Sequence, residues 1–287
     1  MKILLCTDGS LYSQVSYNYA AWLAMRTDVE IELLYVTDRR KEEAVRMPDF
    51  SGSIGIGSYQ QLLDKLVNLE SDRAKVNHKR AKYILQQAES FLSSREVAKI
   101  KLTHETGFLV DLFYKLETNA DLIILGKRGE TAKFATEHLG ANMERIVRAS
   151  HKPCLVTPRE YRPINKVMLA YDGGKSASKA LDYLTRNPFS EDLELHIITA
   201  AKSDRDRALA QQRLQTAQKI AVAANLKPIC QLLNGEPEEK MKKYVEEQNI
   251  DFLIMGAYGH SRIRHLVIGS TTAQMLRSSH IPVLLFR

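Results

Sequence analysis

Apolar runs of four to seven residues alternate along this chain with longer stretches in which apolar residues recur every three or four positions. Short continuous runs are the pattern of strands buried on both faces, and the periodic stretches are that of amphipathic helices. The runs are Ile3–Thr7, Glu30–Val36, Leu122–Leu125 and Cys154–Thr157, then Val167–Tyr171, Leu193–Ile198, Phe252–Met255 and Val283–Phe286. Strands alternating with helices predict an α/β protein built on parallel sheets with helices on both faces.

The pattern is written twice. Each copy opens on a strand ending in Asp-Gly, at Asp8-Gly9 and Asp172-Gly173, and each has a later glycine opening a helix, Gly107 and Gly235. Each then has an apolar strand ending in glycine, at Gly126 and Gly256, and each closes on a strand led by Pro153 or Pro282. The offset between copies is 164 residues at the aspartates and 130 at those strand-end glycines, so the first copy carries 34 more residues between them. Most of these fall within residues 39–95, where Gly52-Ser-Ile-Gly-Ile-Gly57 precedes a long polar helical pattern. That glycine cluster follows no strand and lacks dinucleotide spacing, so it reads as a mobile loop. The segment Pro158–Pro163, with a proline at each end, is the natural linker between domains at 1–158 and 164–287.

The second copy carries the clearest chemistry. Gly256, Gly259, Gly269 and Ser270 form a G-x2-G-x9-G-S spacing that leaves a strand and runs into a helix at Thr271-Thr272. Glycines let a backbone approach a ligand closely, and the free N–H groups of a helix start attract anions. The loop encloses Arg262, Arg264 and His265. This arrangement points to phosphate binding rather than to glycines that merely end a strand. Asp172 at a strand end has two readings: a turn or helix-cap residue, or a carboxylate accepting hydrogen bonds from a ribose or an adenine amine. In the first copy the loop is one residue longer, between Gly129 and Gly140, and Ala141-Asn142 replaces the hydroxyls. A lost hydroxyl donor to a phosphate costs roughly 1.5–3 kcal/mol. Glu130 and Glu137 add negative charge there, opposed by Lys127, Arg128 and Lys133.

Other chemistry is sparse. No Walker A loop is present, since Gly174-Lys175-Ser176 has Leu169 where the leading glycine belongs. No Ser/His/Asp set can be placed, and no general base is evident in the loop. His104 and His196 fall within strand patterns and read as packed or cross-strand residues, while His260 and His265 lie in the phosphate loop.

Composition narrows the setting. The chain has 287 residues, 44% hydrophobic and 26% charged, as expected of a soluble globular protein. No apolar run approaches a membrane span, and the apolar start is too short for a signal peptide. Cys6, Cys154 and Cys230 are odd in number and far apart, as reduced core cysteines of a cytoplasmic protein would be. Net charge is +7, and the densest basic run spans Arg73–Lys82. At helical spacing this is a solvated face, and no aromatic platform accompanies it to suggest nucleic acid.

The G-x2-G-x9-G-S motif, Asp172, the Gly235-Glu-Pro237 helix start and the Pro282-led last strand together resemble the universal stress protein family. The resemblance covers the whole chain as two tandem copies. It implies a five-stranded parallel sheet of order 3-2-1-4-5 in each copy. It also implies pairing of the last strands, Cys154–Val156 with Val283–Leu285, into an internal pseudo-dimer; homodimerisation of the whole chain is a further option. It implies ATP or a related adenine nucleotide, with or without Mg2+, in the second domain alone. Asp172 would contact adenosine, the backbone near Ile197 would face adenine, and Gly256 and Gly259 would line the ribose and phosphates. Gly269, Ser270 and Thr271 would hold the phosphates. The first site, which keeps Asp8, is expected to lack ATP or to hold something else. The reading that results is a cytoplasmic, nucleotide-dependent stress regulator with slow or no hydrolysis and an unknown protein partner. Two alternatives stand beside it. One is a binding module that captures a protein, metabolite or lipid through the first domain and residues 39–95. The other is a slow ATPase or nucleotidyl-transferase-like enzyme, although no His-x-Gly-His set is present.

Overall fold

The computed structural model describes residues 1–38, 56–129, 139–187, 189, 192–257 and 269–287. Its first half contains β1 (Lys2–Cys6), α1 (Leu11–Ala24), β2 (Glu30–Asp38), α2 (Ile56–Ser93), β3 (Ile100–Gly107), α3 (Leu109–Glu117), β4 (Leu122–Gly126), α4 (Ala141–Ala149) and β5 (Cys154–Thr157). The second half contains β6 (Lys166–Ala170), α5 (Lys175–Arg186), β7 (Glu194–Ala201), α6 (Asp204–Ala223), β8 (Ile229–Asn234), α7 (Pro237–Glu247), β9 (Phe252–Gly256), α8 (Ser270–Ser278) and β10 (Val283–Phe286).

All ten strands form one sheet, ordered β3-β2-β1-β4-β5-β10-β9-β6-β7-β8. Each half is parallel within itself, in the order 3-2-1-4-5. The halves join where β5 meets β10 antiparallel, with Val283 opposite Val156, Leu284 opposite Leu155 and Leu285 opposite Cys154. The seam removes two edges at once, because the last strand of each half covers that of the other. All four residues of each seam strand are buried, which suits sequences that are apolar but for Thr157.

Two apolar layers flank the sheet, and each spans both halves. One packs α1, the last third of α2, α5 and α6 against Ile3, Leu155, Leu284 and Phe286. The other packs α3, α4, α7 and α8 against Leu4, Val156, Val283 and Leu285. The halves also meet through aromatic rings. Trp22 of α1 lies edge-on to Phe189 at 5.9 Å and to Phe252 at 6.4 Å. His196 is buried between the Tyr244 hydroxyl at 2.7 Å and Glu194 Oε1 at 2.8 Å. It is a packed residue, one of the two readings its strand pattern allowed; its partners lie on α7 and on its own strand.

About half of the extra length of the first half goes into α2, with 38 residues against 20 in its counterpart α6. The glycine cluster at 52–57 straddles a boundary: residues 52–55 lie outside the described residues, and Ile56 and Gly57 already belong to α2. No helix among the described residues is long and apolar enough to cross a membrane.

Candidate functional site

The order 3-2-1-4-5 reverses direction between strands 1 and 4, so a crevice opens at their carboxyl ends in each half. In the second half these strands are β6 and β9, paired with Ala170 opposite Met255. Asp172 follows β6 by two residues, and Gly256 ends β9. Gly269 is tied to the same point by its N–H donating to the Ala257 carbonyl at 3.2 Å. The structure therefore brings Asp172, Gly256, Gly269, Ser270 and Thr271 to one edge of the sheet. Gly259 and the loop residues Arg262, Arg264, His260 and His265 lie outside the described residues. Ile197 is placed differently. Its side chain is fully buried in the core, and its backbone is paired on both sides, opposite Leu169 and Cys230. The strand continues through Ala201, so Thr199 to Ala201 stand nearer the crevice than Ile197 does.

The local sequence explains the shape. Gly173 has φ +75° and its first-half counterpart Gly9 has φ +78°, so the chain turns sharply after each aspartate. The N–H of Gly174 donates to Asp172 Oδ1 at 2.8 Å, which makes Asp172 a turn residue as well as a crevice residue. Gly256 is closely packed: a Cβ there would stand 3.1 Å from Ser176 Cβ at the start of α5. The cap of α8 is Gly269, which has no side chain to satisfy the first-turn N–H groups. Ser270 is exposed and Thr271 half-buried at this helix start, whereas Thr272 is buried and donates to the Gly256 carbonyl at 2.9 Å. The three hydroxyls are thus not equivalent. Two remain at the crevice, and the third fastens the helix to the strand.

The first half holds the matching cavity, of about 430 Å³, lined by Thr7, Asp8, Ser13, Asp38, Arg128 and Ala141 among others. Here Asp8 is drawn inward. Its Oδ1 accepts from Ser13 Oγ at 2.6 Å and from the Ser10 N–H at 3.0 Å. A Cβ on Gly129 would stand 2.5 Å from its Oδ2, so the carboxylate rests against the loop backbone. The Gly174 N–H makes to Asp172 the bond that the Ser10 N–H makes to Asp8, so the halves differ here at Ser13, whose counterpart is Ala177. The helix start at Gly140 is likewise uncapped, and the Ala141 that follows it brings no hydroxyl.

Lys127 turns away from this cavity. It is almost fully buried and donates to the carbonyls of Arg277 at 2.6 Å and Ser279 at 3.0 Å in the other half. Burial, helped by the neighbouring Arg128 charge, lowers its pKa to about 8. The motif reading, which set Lys127 against the loop's acidic charge, missed this role, as it missed those of Ser13, Ser176 and Thr272. Only the hydroxyl run at 270–272 signalled any of them. Cys6, near the first cavity, and Cys154 are pushed up to about 12 by burial. Among the described residues no group of three or more His, Cys, Asp or Glu could hold a metal ion.

The chain matches the family model for the universal stress protein family over residues 1–158 and again over 163–287. It is 52% identical to a universal stress protein of Synechocystis sp., over 100% of this chain and 99% of that one. A crystal structure of a universal stress protein from Archaeoglobus fulgidus DSM 4304 superposes with TM-score 0.72 at 22% identity, covering 100% of this chain and 98% of its own. A shorter universal stress protein, solved in complex with cAMP, matches with TM-score 0.38 at 25% identity, over 44% of this chain and 98% of its own; that ligand is a property of that protein.

Proposed function

The chain belongs to the universal stress protein family, and from that premise we propose that it binds ATP or a related adenine nucleotide in the crevice of its second half. The observation that carries this reading is the convergence of Asp172, Gly256 and the uncapped start of α8 on one edge of the sheet. Asp172 would accept from the ribose, Gly256 and Gly259 would line the sugar and phosphates, and the N–H groups after Gly269 with Ser270 and Thr271 would hold the phosphates. The backbone facing the base would be that of Thr199 to Ala201, beyond Ile197. Mg2+, where present, would arrive with the phosphates.

The first half would not take ATP. Asp8 is engaged by the Ser13 hydroxyl, which Ala177 lacks in the second half, and Ala141 offers no hydroxyl. We therefore assign the protein a cytoplasmic role as a regulator read through one nucleotide site, with slow or no hydrolysis. Protein purified without added ligand should carry an adenine nucleotide near one per chain. Calorimetry should show weaker ATP binding in both Gly269→Ala and Ser270→Ala; unchanged affinity in both sinks the assignment.

A further inference from the structure

A second cleft of the first half runs between α1 and α2, bordered by the linker residues Arg159 and Glu160. Its volume is about 690 Å³, and it shares no lining residue with the cavity at Asp8. Helix α1 contributes Leu11, Gln14, Val15 and Asn18, which fall on one helical face. Helix α2 contributes Tyr83, Ile84, Gln87 and Phe91. Tyr17 also lines the cleft; its hydroxyl is paired with Thr7 Oγ1, and its ring centroid lies 6.0 Å from that of Phe91. Leu11 and Tyr83 are 59% and 63% exposed, so two large apolar side chains face solvent across one cleft.

The second half supplies an internal control. Helix α5 matches α1 at the offset of 164 already set by the aspartates, and α6 matches α2 at 129 (213 − 84). The second offset follows from packing: Ile84 lies over Gly9 as Arg213 lies over Gly173. The buried stripe Ala81, Leu85, Ala88 and Leu92 of α2 then coincides with Ala210, Leu214, Ala217 and Ala221 of α6. At the cleft positions Leu11 becomes Lys175, Val15 becomes Lys179, Asn18 becomes Asp182 and Tyr83 becomes Gln212. Tyr17 and Phe91 keep apolar counterparts in Leu181 and Ile220. The scaffold is therefore built equally well with a charged groove, and the apolar rim belongs to the first half alone.

The lining chemistry selects a class of ligand. Aromatic rings and aliphatic chains on both helices suit a flat ring system. Arg159 and Glu160 are adjacent and opposite in sign, so the border favours no net charge. Gln14 Nε2 donates to the Gly9 carbonyl at 3.4 Å, and Asn18 Nδ2 to the Gln14 carbonyl at 3.3 Å. Their side-chain oxygens have no partner among the described residues and are left as acceptors. We propose that this cleft binds a neutral aromatic molecule bearing a hydroxyl or ring N–H donor. Its volume falls in the range of small-molecule sites, roughly 300–1,000 Å³. The inference uses neither the nucleotide crevice nor its loop.

The probe is 2-naphthol, compared with 2-methoxynaphthalene, which lacks the donor, and 2-naphthoate, which adds a charge. Calorimetry of the full chain at pH 7 should show 2-naphthol binding about fivefold more tightly than the methoxy compound, the worth of one hydrogen bond. It should also bind more tightly than the naphthoate. Leu11→Lys with Tyr83→Gln installs the second half's residues and should weaken 2-naphthol roughly tenfold by removing apolar contact area. Melting should stay that of the parent, since both side chains are exposed. Gln14→Leu with Asn18→Leu should abolish the preference for hydroxyl over methoxy. A parent chain that does not bind 2-naphthol, or binds all three probes alike, overturns the proposal. So does unchanged 2-naphthol affinity in the Leu11→Lys, Tyr83→Gln variant, or an unchanged hydroxyl preference in the Gln14→Leu, Asn18→Leu variant.

Discussion

Lys127 Nζ lies 2.6 Å from the Arg277 carbonyl oxygen, so a side chain leaving β4 caps the last turn of α8 in the other half. The reciprocal helix end, α4, is capped by a different residue: Arg287 Nη1 donates to the carbonyls of Arg148 at 3.2 Å and Ser150 at 3.4 Å. The position equivalent to Lys127 is Ala257, so the two halves solve one problem with residues from different places. Each cation meets the negative end of a helix and satisfies carbonyls left over by the last turn.

Lys127→Met should therefore destabilise the chain by about 1–3 kcal/mol in denaturant titrations at neutral pH. The effect should depend on pH. Burial lowers the Lys127 pKa to about 8, below its ordinary value. Between pH 8 and the unfolded lysine value the unfolded state holds the proton more tightly, so stability contributed by this group rises with pH and is lost as pH falls through 8. The stability gap between parent and variant should widen from pH 7.5 to 9.5. A gap that narrows would contradict the buried placement.

The seam makes a second prediction. Leu155 and Leu284 are direct partners across the antiparallel pair and share one apolar layer. Each substitution to alanine should cost about 2–5 kcal/mol. The two costs should not add; a coupling of about 0.5–3 kcal/mol is expected in a double-mutant cycle. Additive losses would mean that the two strands are not in contact in solution.

Much of this arrangement was legible beforehand. The seam strands, led by proline and apolar but for Thr157, read as buried strands, and the pairing of Cys154–Val156 with Val283–Leu285 was implied by the family resemblance rather than by the pattern itself. Lys127 could not be read in this way, because its partners are 150 and 152 residues away and are backbone carbonyls, which leave no trace in composition. Ile197 illustrates a different limit. The apolar run marks the strand but not how far it extends past its neighbour, and β7 continues to Ala201 where β6 stops at Ala170.

The two strand-end glycines should differ in what they tolerate. A Cβ at Gly126 would stand 2.7 Å from Tyr12 Cβ, against 3.1 Å to Ser176 Cβ at Gly256. Gly126→Ala must shift α1 and should cost about 1–3 kcal/mol as overpacking. Gly256→Ala needs a smaller displacement and should cost less. Equal melting shifts for the two variants would contradict the closer approach in the first half.

The thiols should sort by how far their pKa is raised. Cys154 is buried and Cys6 and Cys230 are half-buried; burial pushes Cys6 and Cys154 up to about 12 and raises Cys230 as well. Only the thiolate reacts, so at pH 8 an alkylating reagent should modify Cys230 first and leave the other two intact until the chain is unfolded. Mass spectrometry of timed samples reads this directly, and early labelling of Cys6 would show that its cavity admits the reagent.

Asp8 and Asp172 provide the sharpest comparison, because the same residue type stands at the same point of the fold with different surroundings. Asp8 accepts from Ser13 Oγ at 2.6 Å and from the Ser10 N–H at 3.0 Å, so its carboxylate holds the start of α1 in place. Asp8→Ala leaves those donors unmatched and should cost about 1–3 kcal/mol of stability. Its effect on ATP affinity should be negligible if the nucleotide sits in the second half. Asp172 is exposed, and it accepts from the Gly174 N–H within its own turn. Asp172→Ala should therefore change stability little and weaken ATP binding roughly tenfold, the equivalent of one lost hydrogen bond to a charged group. Calorimetry and denaturant unfolding on the two variants separate the roles. If Asp8→Ala is the variant that loses affinity, the nucleotide belongs in the first cavity and the asymmetry between the halves runs the other way.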